Sequence, residues 1–91
     1  MLQRKYGFTL EVDIHGMRVW QAKEELEALL DRCGGDAHEI VVIHGYHGGQ
    51  ALQNMVRNEL QSSKIRQKVL SLNNGQTSLL LHWEKAGKPR R

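Results

Sequence analysis

Apolar and polar residues alternate near the start of the chain and then change to a helical spacing. From Phe8 to Ile14 every second residue is apolar, which predicts a strand with one buried face. From Arg18 to Cys33 apolar residues recur at steps of three and four, which is typical of a helix that buries one face. The pair Gly34-Gly35 then ends the helix, because glycine readily adopts the left-handed backbone found after helix ends.

The same succession of strand and helix repeats further along the chain. The run Ile40–Ile43 is apolar and β-branched throughout, and it predicts a buried strand. Residues Gln50–Gln61 place their apolar side chains on one face, which predicts a second helix. Two further strands, Arg66–Leu72 and Thr77–Trp83, are predicted on either side of a tight turn at Asn73–Gln76.

The predicted elements therefore follow the order β-α-β-α-β-β. Strands joined by a short helical crossover run parallel, whereas strands joined by a tight turn run antiparallel. We expect an α/β chain folded as an α+β two-layer sandwich, with a mixed four-stranded sheet and two helices. The expected domain spans residues 8–84, between an N-terminal extension at 1–7 and a basic C-terminal tail at 85–91.

Composition limits the classes of protein that fit. A chain of 91 residues, 40% hydrophobic and 25% charged, suits one globular domain. Its single cysteine, Cys33, excludes an intramolecular disulfide. No apolar run approaches the roughly 20 residues of a membrane span, and the first residues lack the apolar stretch of a signal peptide. We expect a cytoplasmic protein with no membrane partner.

The formal net charge of +3 is unevenly distributed along the chain. Residues 1–44 carry five Lys/Arg and eight Asp/Glu, a balance of −3, whereas residues 45–91 carry eight and two, a balance of +6. A basic second half favours a polyanionic partner such as nucleic acid, although an ordinary solvated surface would have the same composition.

Two predicted strands end in the same tripeptide, Ile-His-Gly, at positions 14–16 and 43–45. If these strands are neighbours, His15 and His44 lie at the carboxyl edge of the sheet, where open α/β sheets place ligands. Asp13 shares a face of its strand with His15, because side chains alternate between the two faces. A solvent-facing strand residue would also explain Asp13 without any chemistry.

The second His-Gly begins a glycine-rich loop that leads into the second predicted helix. The loop contains Gly45, Tyr46, His47, Gly48 and Gly49. Backbone N–H groups in such loops and at helix starts favour anions such as phosphate. Tyr46 could stack on an unpaired base, although it could equally cover the start of the helix.

These motifs resemble those of the small MutS-related (Smr) domain family. The family has a Leu-Asp-Leu-His-Gly type segment at its first strand, which here reads Val12-Asp13-Ile14-His15-Gly16. It also has a His-Gly-x-Gly type loop, which here begins at His44, and the later Gly75-Gln76-Thr77 fits as well. In this chain His47 stands where a glycine is more usual, and Gln53 stands near a position often held by arginine. The resemblance covers about residues 9–82.

The resemblance implies a fold similar to the carboxyl-terminal domain of translation initiation factor three. Both helices would lie on one face of the sheet, and the four strands would follow the order 1-2-4-3. It also implies binding to RNA or DNA, with RNA-cleaving or DNA-nicking endonuclease activity in several members. Association with ribosomes or with DNA repair is a further expectation from the family.

We expect a site for phosphodiester cleavage with Asp13, His15 and His44 as its catalytic residues. Such cleavage needs an activated nucleophile, a protonated leaving oxygen and neutralised phosphate charge. His15 could act as general base or acid, because histidine titrates near neutral pH. Asp13 could orient His15 or bind a divalent cation, and His44 could supply a second proton-transfer group. In RNA the 2′-hydroxyl could attack, so no protein nucleophile would be needed.

The expected nucleic-acid contacts extend from the loop to the basic second half of the chain. They are Gly45, Tyr46, His47, Gly48, Gly49, Arg57, Lys64, Arg66 and Lys68. No cofactor is required by this interpretation, although Mg²⁺ or Mn²⁺ would suit Asp13. Asp13, His15, His44 and His47 are also admissible ligands for Zn²⁺ or Mn²⁺, but their spacing matches no familiar metal motif, and no metal ligand is assigned.

Two other functions fit the same sequence. A nucleic-acid-binding module without catalysis would use the basic residues to contact phosphates. A protein-interaction module would show neither salt-dependent nucleic-acid binding nor cleavage. The sequence leaves open the choice between DNA and RNA, and the oligomeric state.

Overall fold

The computed structural model describes residues 1–45 and 50–82 of the chain. These residues form five strands and two helical segments, the second of which changes from α to π geometry. In chain order the elements are β1 (Leu2–Tyr6), β2 (Thr9–Asp13), α1 (Val19–Arg32), β3 (Glu39–Ile43), α2 (Ala51–Asn54) continuing as a π-helical segment (Met55–Glu59), β4 (Ile65–Leu70) and β5 (Gln76–Leu81).

The strands form one mixed sheet in the order β1-β2-β3-β5-β4. Strands β2 and β3 are parallel, and every other neighbouring pair is antiparallel. The four strands predicted from the sequence therefore follow the order 1-2-4-3, which confirms the expected topology. The carboxyl ends of β2 and β3 meet at one edge of the sheet, followed by the start of β5.

The prediction of four strands is wrong by one, because the supposed N-terminal extension forms β1. This strand pairs antiparallel with β2, with Leu2 opposite Asp13 and Tyr6 opposite Thr9. A two-residue turn joins them, and its first residue, Gly7, has a φ of 59°, as type II′ hairpins require. All five residues of β1 are exposed, so the strand has no buried face that a period-two pattern could reveal.

The second helix also differs from its prediction. It begins at Ala51 and has four α-helical residues before the π-helical segment, instead of running as one helix to Gln61. At the end of that segment the backbone N–H of Leu60 donates to the carbonyl of Met55 at 2.7 Å. The apolar face survives the change, since Met55, Val56 and Leu60 are all fully buried.

The core lies between the helices and one face of the sheet. Along the central strands every second side chain is buried, and the alternate ones are only partly covered. The opposite face of the sheet, which we call the open face, carries those partly covered side chains. The buried apolar residues are Val12, Ile14, Ala22, Leu26, Leu29, Leu30, Ala37, Ile40, Val42, Met55, Val56, Leu60, Leu79 and Leu81.

Candidate functional site

The two His-Gly segments meet at the carboxyl edge of β2 and β3. The N–H of Ile14 donates to the carbonyl of Ile43 at 2.9 Å, which ties the ends of the two strands together. Gly45 lies directly against His15, since a Cβ on Gly45 would lie 3.3 Å from the His15 Cβ. Gly45 also has a φ of 77°, so a glycine suits this position both sterically and conformationally.

Asp13 and His15 form a hydrogen-bonded pair on this edge. The Asp13 Oδ1 lies 2.6 Å from the His15 Nδ1 and also accepts the His15 backbone N–H at 3.0 Å. The alternation of strand β2 places Asp13 on the open face, and the chain turns immediately after it. One carboxylate oxygen therefore fixes both the backbone and the ring of His15.

This pairing favours the ionised form of Asp13 and fixes the orientation of the His15 ring. Partial burial raises the pKa of Asp13, but the hydrogen bonds from the His15 ring and backbone N–H outweigh it and hold that pKa below its ordinary value. An ionised Asp13 accepts a hydrogen bond from Nδ1–H, so Nε2 is the ring nitrogen directed away from the carboxylate. Because the His15 side chain is 68% exposed, that nitrogen is available to a ligand.

His44 lies on the other face of the sheet and is buried, with 3% of its surface exposed. Its Nδ1 lies 2.9 Å from the carbonyl oxygen of Gly45, and its Nε2 lies 2.9 Å from the Thr77 Oγ1. A carbonyl can only accept, so Nδ1 donates and the neutral ring accepts the Thr77 hydroxyl through Nε2. Both ring nitrogens are thus occupied within the protein.

Arg57 completes this buried network. Its Nε–H donates to the Thr77 Oγ1 at 2.8 Å, and its Nη2 donates to the Gln76 carbonyl at 3.1 Å. Burial and the nearby charge of Arg57 hold the pKa of His44 below its ordinary value, although the hydrogen bond to the Gly45 carbonyl acts in the opposite direction. A neutral His44 therefore holds the Gly45 backbone from the side of the sheet that the helices cover.

The turn before β5 belongs to the same edge. The carbonyl of Gly75 accepts the backbone N–H groups of His44 and Gly45 at 2.9 and 3.0 Å. Gln53 Nε2 donates to the Asn74 carbonyl at 2.9 Å, which joins the turn to the start of the second helix. The Gly45 N–H is therefore engaged within the protein instead of being offered to a phosphate.

Comparison with known proteins identifies the family. A family model described as Smr domain matches residues 12–78. The chain belongs to the Smr domain family. Such domains are nucleic-acid-binding, nuclease-like modules. The resemblance drawn from the two His-Gly motifs is thereby confirmed.

The fold comparison agrees with the family match. The chain is similar to the crystal structure of the Smr domain of Thermus thermophilus MutS2, with a TM-score of 0.69 and 23% sequence identity. The similarity covers 79% of this chain and 96% of that chain. A search of the curated proteins finds no significant match. In this Smr domain, β1 and most of β2 precede the residues that the family model matches.

Three of the four basic residues predicted to contact phosphates instead hydrogen-bond backbone carbonyls in this Smr domain. Lys64 Nζ donates to the carbonyls of Leu30, Asp31 and Cys33 at the end of α1. Lys68 Nζ donates to those of Arg57 and Leu60 at the end of the second helix. Helix ends attract cations, because their last carbonyls lack helical partners and carry the negative end of the dipole.

Of the four basic residues, only Arg57 lies near the edge that carries His15, and its donors are engaged there by Thr77 and the Gln76 carbonyl. Lys64 lies beside Ala37 and His82, at the opposite edge of the sheet. Lys68 is partly buried against the end of the second helix, and this burial lowers the pKa of its amino group. Arg66 is exposed on β4, the edge strand farthest from β2.

Four of the predicted contacts, Tyr46, His47, Gly48 and Gly49, lie outside the described residues. The zinc interpretation also depended on His47. Within residues 1–45 and 50–82, no group of three or more His, Cys, Asp or Glu side chains could hold a metal ion. In the same part of the chain, no helix is long and apolar enough to cross a membrane.

Sequence reasoning did not include Gly75 or Thr77 among the site residues, although both contact the His44-Gly45 segment. The signal for them is topological. Strand β5 runs antiparallel beside β3, with Gln76 opposite Ile43 and Thr77 opposite Val42. The start of β5 must therefore lie beside the end of β3.

Proposed function

We propose that this Smr domain binds nucleic acid at the edge carrying His15 and Gly45, and that it cleaves phosphodiester bonds there. The observation that carries the proposal is the Asp13–His15 pair, with a 2.6 Å contact to Nδ1 and an exposed ring. A carboxylate that holds one nitrogen of a histidine orients the other for proton transfer. The family membership supports the same assignment.

For an RNA substrate, the 2′-hydroxyl would be the nucleophile. His15 Nε2 removes its proton while the 2′ oxygen bonds to the adjacent phosphorus and the P–O5′ bond breaks. The products are a 2′,3′-cyclic phosphate and a 5′-hydroxyl, whose oxygen takes its proton from water or from the same His15 ring that removed the 2′-hydroxyl proton. On DNA, a water molecule activated by His15 would replace the 2′-hydroxyl, and the bond would be hydrolysed.

The start of α1 supports anion binding at this edge. This 14-residue helix begins at Val19, four residues after His15. Its N-cap residue, Arg18, makes no side-chain cap, and its first turn contains no acidic residue. The positive end of the helix dipole is thus not neutralised by a carboxylate, which favours a phosphate group nearby.

His44 has a positioning role in this proposal. Its buried ring is hydrogen-bonded at both nitrogens, and it holds the Gly45 backbone against His15. His15 then carries out proton transfer. The hydrogen bonds among His44, Thr77 and Arg57 fix the position of the Gly45 backbone at this edge.

Cleavage of labelled single-stranded RNA, structured RNA and duplex DNA, with and without Mg²⁺, tests the proposal. His15→Gln should lower the rate at least about 100-fold, since general acid–base groups contribute about 10²–10⁴-fold. Asp13→Asn should lower it less, because the ring is retained. His82→Gln, at the opposite edge, is the matched control and should cleave as wild type. A His15→Gln variant as active as wild type would overturn the proposal.

A second candidate, binding without cleavage, is favoured by one observation. Of the two histidines predicted to transfer protons, His44 is buried with both nitrogens occupied, which leaves His15 alone among the described residues of this edge. Binding by wild type and every variant, with cleavage by none on any substrate, would establish that function instead.

A further inference from the structure

A groove on the open face of the sheet adjoins the Asp13–His15 pair. Its volume is about 270 Å³, and it is lined by Leu2, Arg4, Glu11, Asp13 and Ile43. The strand register explains why these side chains share one face, since Leu2 pairs with Asp13, Arg4 with Glu11, and Asp13 with Ile43. The groove is slightly smaller than the roughly 300–1,000 Å³ pockets of drug-sized ligands.

The lining combines apolar side chains with one guanidinium and two carboxylates, those of Glu11 and Asp13. Leu2 is 74% exposed, and Ile43 is half-buried on the same face, two strands away. Arg4 presents a guanidinium, and Glu11, its direct cross-strand neighbour, presents a carboxylate. The Arg4 Nη1 donates to the Tyr6 hydroxyl at 3.0 Å, which restrains the guanidinium over the strand. A flat ring with polar edges suits such a surface.

The groove is continuous with the proposed reaction site. Asp13 lines it and also binds the His15 ring through Oδ1. A phosphate at His15 therefore places the attached nucleotide within reach of the open face. Leu2 and Arg4 belong to β1, and Glu11 also precedes the residues matched by the family model. The groove is thus a feature that this chain's own N-terminal strand creates.

We propose that this groove is a subsite for one unpaired nucleobase, with guanine preferred, next to the phosphate bound at His15. The subsite rests on the proposed function. The base ring would pack on Leu2, Arg4 would donate to guanine O6, and Glu11 would accept from N1–H and N2–H. Guanine offers the carboxylate two donors, whereas uracil offers it one. Because a paired base could not present that edge, the subsite selects single-stranded substrate.

A titration followed by amide NMR shifts tests the subsite without requiring cleavage. The probes are guanosine monophosphate, uridine monophosphate and ribose 5-phosphate, which has no base. We expect guanosine monophosphate to shift the amides of Arg4, Glu11 and Ile43 and to bind about fivefold more tightly than the other two probes, the low end for a bidentate base contact. Equal binding of all three probes would overturn the subsite.

Variants separate the subsite from the catalytic pair. Arg4→Gln combined with Glu11→Gln should remove the fivefold preference and leave binding of ribose 5-phosphate unchanged. Arg66→Gln, at an exposed arginine on β4, is the control for loss of an arginine outside the groove and should retain the preference. A double variant that still prefers guanosine monophosphate fivefold would contradict the assignment to these residues.

Mapping the cleavage positions on a single-stranded RNA of mixed sequence distinguishes failure of the subsite from failure of the proposed function. Wild type should cut next to guanine, and the double variant should lose that positional preference. Cleavage that depends on His15 but ignores the base would overturn the subsite alone. Guanine-dependent binding that Arg4→Gln abolishes, with no cleavage by wild type, would support the subsite and overturn the proposed reaction.

Discussion

Gly16 and Gly45 hold equivalent positions after the two histidines but differ in their surroundings. Both have positive φ, 83° and 77°. A Cβ at Gly16 would meet no atom within 4 Å, whereas one at Gly45 would lie 3.3 Å from the His15 Cβ. The tight contact exists because the chain passes from β3 to its loop directly against the end of β2.

Alanine at each position measures this difference. Gly16→Ala should cost about 1–2 kcal/mol of unfolding free energy, the cost of a left-handed backbone. Gly45→Ala should cost more, because it also displaces His15, and it should shift the His15 ring signals in an NMR spectrum. Urea denaturation gives the free energies. Equal costs, with unchanged His15 signals, would contradict the close approach.

His44 makes the stability of the fold depend on pH. Burial lowers its pKa from the ordinary 6.5, so the unfolded chain binds more protons than the folded chain below that pH. The stability that neutral His44 contributes is therefore complete above about pH 6.5 and is lost as the pH falls towards the lowered pKa.

Urea denaturation between pH 7.5 and 5 tests this dependence. His44→Gln keeps an amide donor and acceptor but cannot titrate, so its stability should fall less than that of wild type over this range. His82→Gln, which removes an exposed histidine at the opposite edge, should retain the wild-type slope. The same slope for His44→Gln and wild type would show that His44 is not held neutral.

Sequence alternation anticipates Asp13 but not the burial of His44. Strand β2 is polar at every second residue, so the pattern itself puts Asp13 and the residue two positions later on the polar side. The run Ile40–Ile43 is apolar on both faces, so nothing in it tells which face the helices cover. His44 continues the buried set of Ile40 and Val42, and only the packed sheet reveals this.

At the level of elements, lysines from elsewhere in the chain complete both helix ends. Lys64, just before β4, donates to three carbonyls at the end of α1. The charge pattern predicted a phosphate-binding surface here, because a lysine's sequence position does not reveal which carbonyls the fold brings near it. The unpaired carbonyls of a helix end and a solvent-exposed phosphate attract the same group.

Lys64→Met tests the structural role. Loss of the three hydrogen bonds should lower the unfolding free energy by about 1–2 kcal/mol, while the affinity for single-stranded RNA at fixed salt stays within twofold of wild type. Arg66→Met, two residues away and exposed, should leave the stability unchanged. A stable Lys64→Met variant with much weaker RNA binding would restore Lys64 to the nucleic-acid contacts.

The π-helical segment and strand β1 could not be predicted from the spacing of apolar residues, for a different reason. The π-helical segment keeps Met55, Val56 and Leu60 on the buried side, so its apolar spacing cannot be distinguished from that of an α-helix. Strand β1 exposes all of its residues and is held by backbone hydrogen bonds to β2. The spacing of apolar residues shows only which side chains are buried. The π-helical geometry and strand β1 leave that set of buried side chains unchanged, so the spacing could reveal neither of them.

At the scale of the whole molecule, the site is defined by where strands end and not by where positive charge accumulates. The parallel pair β2 and β3 brings both His-Gly segments to one edge, and β5 adds its preceding turn. Two of the positive charges in residues 45–91, those of Lys64 and Lys68, bind the backbone carbonyls of helix ends. Topology, and not net charge, therefore selects the edge at which we propose that nucleic acid binds.

The measurement that tests this claim most directly is a map of amide shifts on adding a short single-stranded RNA to the labelled protein. The account predicts that the largest shifts occur at Asp13, His15, Gly16 and Gly45, on the carboxyl edge of β2 and β3. If the largest shifts instead occurred around Gly34, Lys64 and His82, at the opposite edge, nucleic acid would bind elsewhere and the assignment of the site would be wrong.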